Sequence, residues 1–287
     1  TGTGAAATVT GVGFAPDLVI DQRTSAGGDA SIFWDRLRGY SQYLFGRLTN
    51  AEAAVTTSLT SFNMDGISVG ADTAGIINSS GAPWINCFFR RYPGVFDEVC
   101  YTGDGVASRL LSHNLAAQPE LIMSKSRSAV TAWEVVKYAP GVTTTSGTNY
   151  WFNSLSTSSA LYTGTIDGVW GPAAPAPTAS TYAVAYVSGN ANGVNTSAAT
   201  YVAYLFATVA GVSKVFSYTG DGAAGKVINC GFAAGARFVL IKCTSAVGDW
   251  FVYDSVRGIV AANDPHLSLN TTAAEVTTDD SIDPDNS

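Results

Sequence analysis

Charge, lysine and histidine are all scarce in this chain. Charged residues make up 13% of its 287 positions, with five lysines and two histidines. A surface that neutralises phosphates needs clustered Lys and Arg. The nearest approach to one is the single pair Arg90-Arg91, in a chain of net charge −7. Nucleic acid is therefore not an expected partner, and the mild acidity serves solubility. No apolar run reaches the ~18 residues that would span a bilayer, so no membrane partner is expected either. The opening Thr1-Gly-Thr-Gly-Ala-Ala-Ala lacks the basic segment and apolar core of a signal peptide. Without an initiator Met, it reads as the start of a fragment or processed product.

Cysteine is also sparse. Cys87 and Cys100 are thirteen residues apart (100 − 87), as are Cys230 and Cys243 (243 − 230). With no Cys-x-x-Cys unit and two histidines, zinc is not expected, and the cysteines read as small buried hydrophobes. A disulfide between neighbouring strands would need Cα atoms within about 7 Å.

Catalytic patterns are missing in the same way. There is no Gly-x-Ser-x-Gly elbow, no phosphate loop and no Gly-x-Gly-x-x-Gly after a strand. His113 lies in Leu111-Ser-His-Asn-Leu115, and His266 follows Pro265 in an expected loop beside Asp264. Asp35 and Asp254 each precede an Arg and a Gly, and read as carboxylates that satisfy turn amides. The cluster Asp279-Asp280-Ser-Ile-Asp283-Pro-Asp285-Asn286 lacks the central Gly and final Glu of a calcium loop, and reads as a solvated loop. The expectation is a protein that is not an enzyme, with no catalytic residue, metal or cofactor.

What the chain does have is a repeat. Tyr101-Thr-Gly-Asp-Gly105 returns as Tyr218-Thr-Gly-Asp-Gly222, an offset of 117 (218 − 101). The offset holds around it. Asn78 falls on Asn195, Ala82–Phe89 on Ala199–Phe206, Trp133 on Trp250 and Gly141 on Gly258. Thr1-Gly-Thr-Gly4 matches Thr102-Gly-Asp-Gly105, as if the chain began just after a Tyr. Trp34-Asp-Arg-Leu-Arg-Gly39 matches Tyr253-Asp-Ser-Val-Arg-Gly258, whereas the middle copy has Val136-Lys-Tyr-Ala-Pro-Gly141. Three modules follow: 1–100, 101–217 with a Pro-rich insertion, and a partial one at 218–287. The third has no counterpart of the Thr200–Phe206 segment, so it is expected to carry an open sheet edge or to have that edge filled by another chain.

Short branched runs such as Leu18-Val-Ile20 and Val239-Leu-Ile241 read as buried strands. The Gly-Asp-Gly string reads as a turn whose Asp bonds to backbone two residues on. Gly171–Thr178, with three prolines, reads as an exposed loop. Evenly spaced strands in modules of roughly 100–117 residues predict an all-β chain of tandem, jelly-roll-like sandwiches. Trp34, Trp133 and Trp250 lie on the repeated strands and are expected in cores. Trp151 and Trp170 lie outside the shared pattern, which makes them the candidate glycan contacts.

Taken together, the Tyr-Thr-Gly-Asp-Gly string, Pro119–Met123, Trp250–Gly258, Asn270–Glu275 and Thr200–Phe206 resemble the repeat modules of uncharacterised virion proteins of tailed bacteriophages. The resemblance covers nearly the whole chain. It implies a structural protein on the tail or capsid surface of the particle, in a tail fibre or appendage, acting in assembly or host attachment. The implied partners are other virion proteins, copies of the chain itself with a trimer as one form, and host surface glycan. The alternatives are a capsid decoration protein, a glycan-binding adhesin and, last, a polysaccharide depolymerase.

Overall fold

The computed structural model describes residues 1–27, 31–143, 150–155, 170, 175–189, 193–259 and 263–282, apart from the side chains of 150–153. The chain is all-β, with no helix among the described residues.

The first part holds β1 (Ala7–Val9), β2 (Leu18–Arg23), β3 (Ile32–Asp35), β4 (Gln42–Phe45), β5 (Ala53–Ala54), β6 (Leu59–Asn63), β7 (Gly66–Val69) and β8 (Trp84–Phe89). β2 to β5 form an antiparallel meander, β8 joins it beside β2, and the small sheet β1-β7-β6 completes a sandwich. The second part repeats the plan with β9 (Phe96–Thr102), β10 (Arg109–Ser112), β11 (Leu121–Ser126), β12 (Trp133–Tyr138), β13 (Tyr150–Ser154), β14 (Thr181–Val184) and β15 (Thr200–Phe206). Its large sheet runs β13-β12-β11-β15-β9, and β10-β14 is the second layer. The third part shows one sheet, β16 (Phe238–Lys242), β17 (Trp250–Asp254) and β18 (His266–Ser268), in the order β16-β17-β18. β9 runs across position 101 and pairs along its whole length with β15.

The continuous apolar runs have a direct cause. In a strand, alternate residues face opposite sides. In β2, Val19 faces the first sandwich core with Ile32, Trp34, Leu59 and Ile67. Leu18 and Ile20 face a different core, shared with Met123, Trp133 and Tyr204 of the second part and Trp250 and Val252 of the third. Both faces are buried, so both must be apolar. The three large sheets therefore turn their second faces toward one common core.

The seams between the sheets repeat in a cycle. Trp133 Nε1, at the start of β12, donates to Phe45 O at the end of β4, 2.8 Å away. Trp250 Nε1, at the start of β17, donates to Ser154 O at the end of β13, 3.2 Å away. Ser31 Oγ, just before β3, donates to Leu269 O, just after β18. Second part meets first, third meets second, and first meets third. A second set of contacts follows the same permutation. Glu52 N donates to Arg127 O at 2.8 Å, and Glu275 N donates to Thr24 O at 2.9 Å.

The Tyr-Thr-Gly-Asp-Gly string is part strand and part turn. Tyr101 and Thr102 close β9, and the turn begins at Gly103. A Cβ on Gly103 would lie 2.2 Å from Thr196 O, so only glycine fits there. Asp104 Oδ1 accepts from Val106 N, two residues on, at 3.1 Å, as the sequence predicts.

Candidate functional site: the joint between the first two sheets

The sequence Trp34-Asp-Arg-Leu-Arg-Gly39 ends β3 in a tight turn, and that turn folds Arg38 back onto Asp35. Asp35 Oδ1 accepts from Arg38 N at 2.8 Å, and Oδ2 accepts from Arg38 Nε. Arg38 also donates to Phe33 O at 2.8 Å and to Glu52 Oε2 at 3.1 Å. Glu52 reaches the second part, where its carboxylate takes two bonds from Arg127, at 2.9 and 2.8 Å. Tyr204 OH on β15 donates to Asp35 Oδ2 at 2.7 Å. Beneath this network Phe33 and Trp133 lie 4.6 Å apart, and the Tyr204 ring stacks on both. Burial alone lowers the Arg38 pKa, but Tyr204, Asp35 and Glu52 around it raise it above its ordinary value and hold it cationic.

The third sheet carries the same device. Asp254 Oδ1 accepts from Val256 N and Arg257 N, both at 3.0 Å, and Oδ2 accepts from Arg257 Nε at 2.5 Å. Arg257 reaches Glu275 at 3.0 Å and Val252 O at 3.0 Å. Asp35 and Asp254 thus satisfy turn amides, as expected, and also anchor a buried arginine. The partner glutamates went unread in the sequence, because they sit 14 and 18 residues from their arginines with no spacing that ties them together.

Glu98 lies beside this joint on β9. It is 3% exposed, and neither carboxyl oxygen has a partner. Burial, reinforced by the Asp35 carboxylate, pushes its pKa up to about 9, so it holds its proton at neutral pH. A neutral acid next to a carboxylate suggests acid–base chemistry. Here both groups are closed off from solvent, with Asp35 at 0% exposure. Nothing in the sequence marks Glu98, which follows Asp97 on a strand with no partner at a catalytic spacing.

The other candidates are placed as follows. Trp170 is fully buried among Leu111, Tyr138 and Tyr182, and offers no ring to a sugar in solvent. Trp151 pairs with Lys137 through its backbone, and its side chain lies outside the described residues. His113 is 6% exposed, its Nδ1 accepting from Leu115 N at 3.2 Å. His266 sits on strand β18 rather than in a loop, with its ring 5.2 Å from Phe251 and 5.2 Å from Tyr253. The alternation His266-Leu-Ser268 is too short to read as a strand by itself. Of the Pro-rich stretch, residues 171–174 lie outside the described residues, Pro175 is exposed and Pro177 is buried. Of the acidic cluster, residues 283–286 lie outside them, and no metal-holding group occurs among the described residues. All four cysteines are free thiols, and Cys243 is exposed, unlike the other three. Burial pushes Cys87 and Cys100 up to about 12.

One surface depression is notable, of about 230 Å³, lined by Arg91, Tyr92, Pro93, Phe96, Asp97 and Asn114. Tyr92 is 60% exposed at its rim.

These features define a repeat-built β-sandwich protein whose sheets meet around a common core, the first two joined by a buried ionic network. Over residues 1–284 the chain matches the family described as a domain of unknown function, DUF7483, and it belongs to that family. No curated protein and no solved structure matches it.

Proposed function

We propose that the chain is a non-enzymatic structural component of a tailed-bacteriophage particle, in a tail fibre or appendage, serving assembly or host attachment. The observation that carries this reading is the cyclic closure of the repeated sheets. Asp35, Arg38 and Glu52 are spent on joining the first two sheets, and neither they nor the buried Glu98 face an open cleft. A rigid spacer built from repeats needs that kind of joint. The resemblance of the linked repeat motifs to virion modules supplies the biological setting. Gold-labelled antibody on purified particles should decorate the tail. Label on the head would favour capsid decoration, and its absence from the particle would overturn the proposal.

A second reading, glycan binding, is favoured by the depression beside Tyr92, where an exposed ring stands next to a carboxylate and an amide, groups that sugars use. Tyr92→Ala should then abolish retention on host polysaccharide. New reducing ends released from that polysaccharide would contradict both readings and favour cleavage.

A further inference from the structure

The depression beside Tyr92 is built on a turn with one available shape. In Tyr92-Pro-Gly-Val95, Val95 N donates to Tyr92 O at 3.0 Å. Pro93 fixes the second position and Gly94, with φ at +80°, takes the third, as a type II turn requires. A Cβ on Gly94 would also meet Val209 Cγ2 at 2.8 Å. Three further bonds hold the turn in place. Arg91 N donates to Asp17 Oδ2 at 2.8 Å, Gly94 N to Leu115 O at 2.5 Å and Tyr92 N to Phe96 O at 2.9 Å. The walls are thus set before a ligand arrives, which lowers the ordering cost of binding.

The depression offers polar groups of two kinds. One kind suits hydroxyls. Asp97 is 3% exposed, and its Oδ2 accepts from Asn114 N at 2.7 Å. Its Oδ1 has no partner among the described residues, and a carboxylate oxygen so enclosed needs a donor. Beside it the exposed Asn114 amide both donates and accepts.

The other kind suits an anion. Arg91 lines the same depression, and its guanidinium makes no hydrogen bond among the described residues. Its ionic partner there is Asp17, 3.8 Å from Nε, and Asp17 is shared with Arg36 at 3.4 Å. The neighbouring Glu98 is neutral and adds no charge. Two arginines therefore share one carboxylate, a local surplus of positive charge in a chain of net charge −7. The planar fork of an arginine matches a carboxylate closely.

We propose that this depression binds one hexuronate ring of an acidic polysaccharide, with the ring against Tyr92, its hydroxyls on Asp97 and Asn114, and its carboxylate on Arg91. A neutral hexose would leave the guanidinium unmatched. An anion without hydroxyls would set a like charge against Asp97. A ring that carries hydroxyls and one carboxylate satisfies both kinds of group at once. The volume of about 230 Å³ falls below that of drug-sized pockets, and so suits one ring rather than a longer segment. The inference rests on the glycan-binding reading and narrows it to acidic sugars.

Saturation-transfer NMR titrations of the 287-residue chain test it. The probes are methyl glucuronide and methyl galacturonide, each against the matching neutral methyl glycoside, up to tens of millimolar. At least one uronate should bind about tenfold or more tightly than its neutral partner, as one charge-assisted contact gives. Arg91→Gln should remove that preference and leave neutral binding unchanged, and Tyr92→Ala should remove binding of both. Both side chains are exposed, so the circular dichroism spectrum should not change. If Arg91→Gln misfolds, the parent in about 1 M NaCl, where screening acts within about 3 Å, should lose the preference instead. Parent binding with no preference for either uronate would overturn the inference and leave the glycan reading standing. So would a preference that survives in folded Arg91→Gln, or in high salt where that variant misfolds, or a folded Tyr92→Ala chain that binds like the parent. Binding of no probe would also overturn it, and the glycan reading would fall as well if Tyr92→Ala left retention on host polysaccharide unchanged.

Discussion

Glu98 on β9 and Glu134 on β12 belong to the large sheet of the second part, with their carboxyls buried, and burial pushes them up to about 9 and about 8. A carboxyl raised above its unfolded value, 4.5 for Glu, is protonated in the folded chain while the unfolded chain is ionised. Its stabilisation is complete below that unfolded value and is lost as pH rises through the folded pKa. Stability should therefore decline from about pH 5 to pH 8. Lys125, pushed down to about 8 by burial, acts in the other direction, but from pH 8 upward. Glu98→Gln keeps the shape and removes the titration. Its melting temperature should exceed the parent's at pH 8 by at least about 2 °C and match it near pH 4.5. Thermal melts across that range check this, and an unchanged slope in the variant would show Glu98 to be ionised at its site. The same repeated string also gives a contrast between two glycines. Gly103→Ala pushes a Cβ into Thr196 O, and should cost about 1–3 kcal/mol in urea unfolding. Gly220→Ala meets open space and should stay within about 0.5 kcal/mol of the parent.

At the scale of strands and turns, the two Asp–Arg–Glu devices differ in how much they join. Arg38 has a side chain fully removed from solvent and bonds to groups of both the first and second sheets. Arg257 is 9% exposed and bonds within the third. Removing one partner of a buried pair strands the other charge, so Arg38→Met should cost about 3–5 kcal/mol. Arg257→Met should cost less and leave the first two sheets intact, which hydrogen exchange on β3 and β15 would report. Much of this level was legible in the sequence. The strands at Leu18–Ile20 and Val239–Ile241, and those carrying Trp34, Trp133 and Trp250, lie where the branched apolar runs and the repeat place them. Equivalence of Asp35 and Asp254 was legible because Arg and Gly follow each at fixed distance. Partners at long range were not. Tyr204 meets Asp35, and Arg127 meets Glu52, only because sheets from different repeats pack together, and local pattern carries no record of those meetings. Trp170 shows the converse. Its Gly-rich surroundings suggest exposure, yet tertiary packing removes all of its surface from water.

For the molecule as a whole, the repeat suggests serial modules, each with its own core. The sheets do have private cores, Val19 with Trp34 in the first and Ile122 with Val136 in the second. They also have the common core of Leu18, Met123, Trp250 and their neighbours, and three cyclically related seams around it. Both faces of β2 and β11 are therefore committed, one to each kind of core. A module opened alone would expose its share of the common core and break two seams. The sheets should unfold together, although separate domains in one chain ordinarily need not. Differential scanning calorimetry tests this most directly. The account predicts one transition whose calorimetric and van't Hoff enthalpies agree. Two or three resolved transitions, each with the enthalpy of a single sandwich, would contradict it.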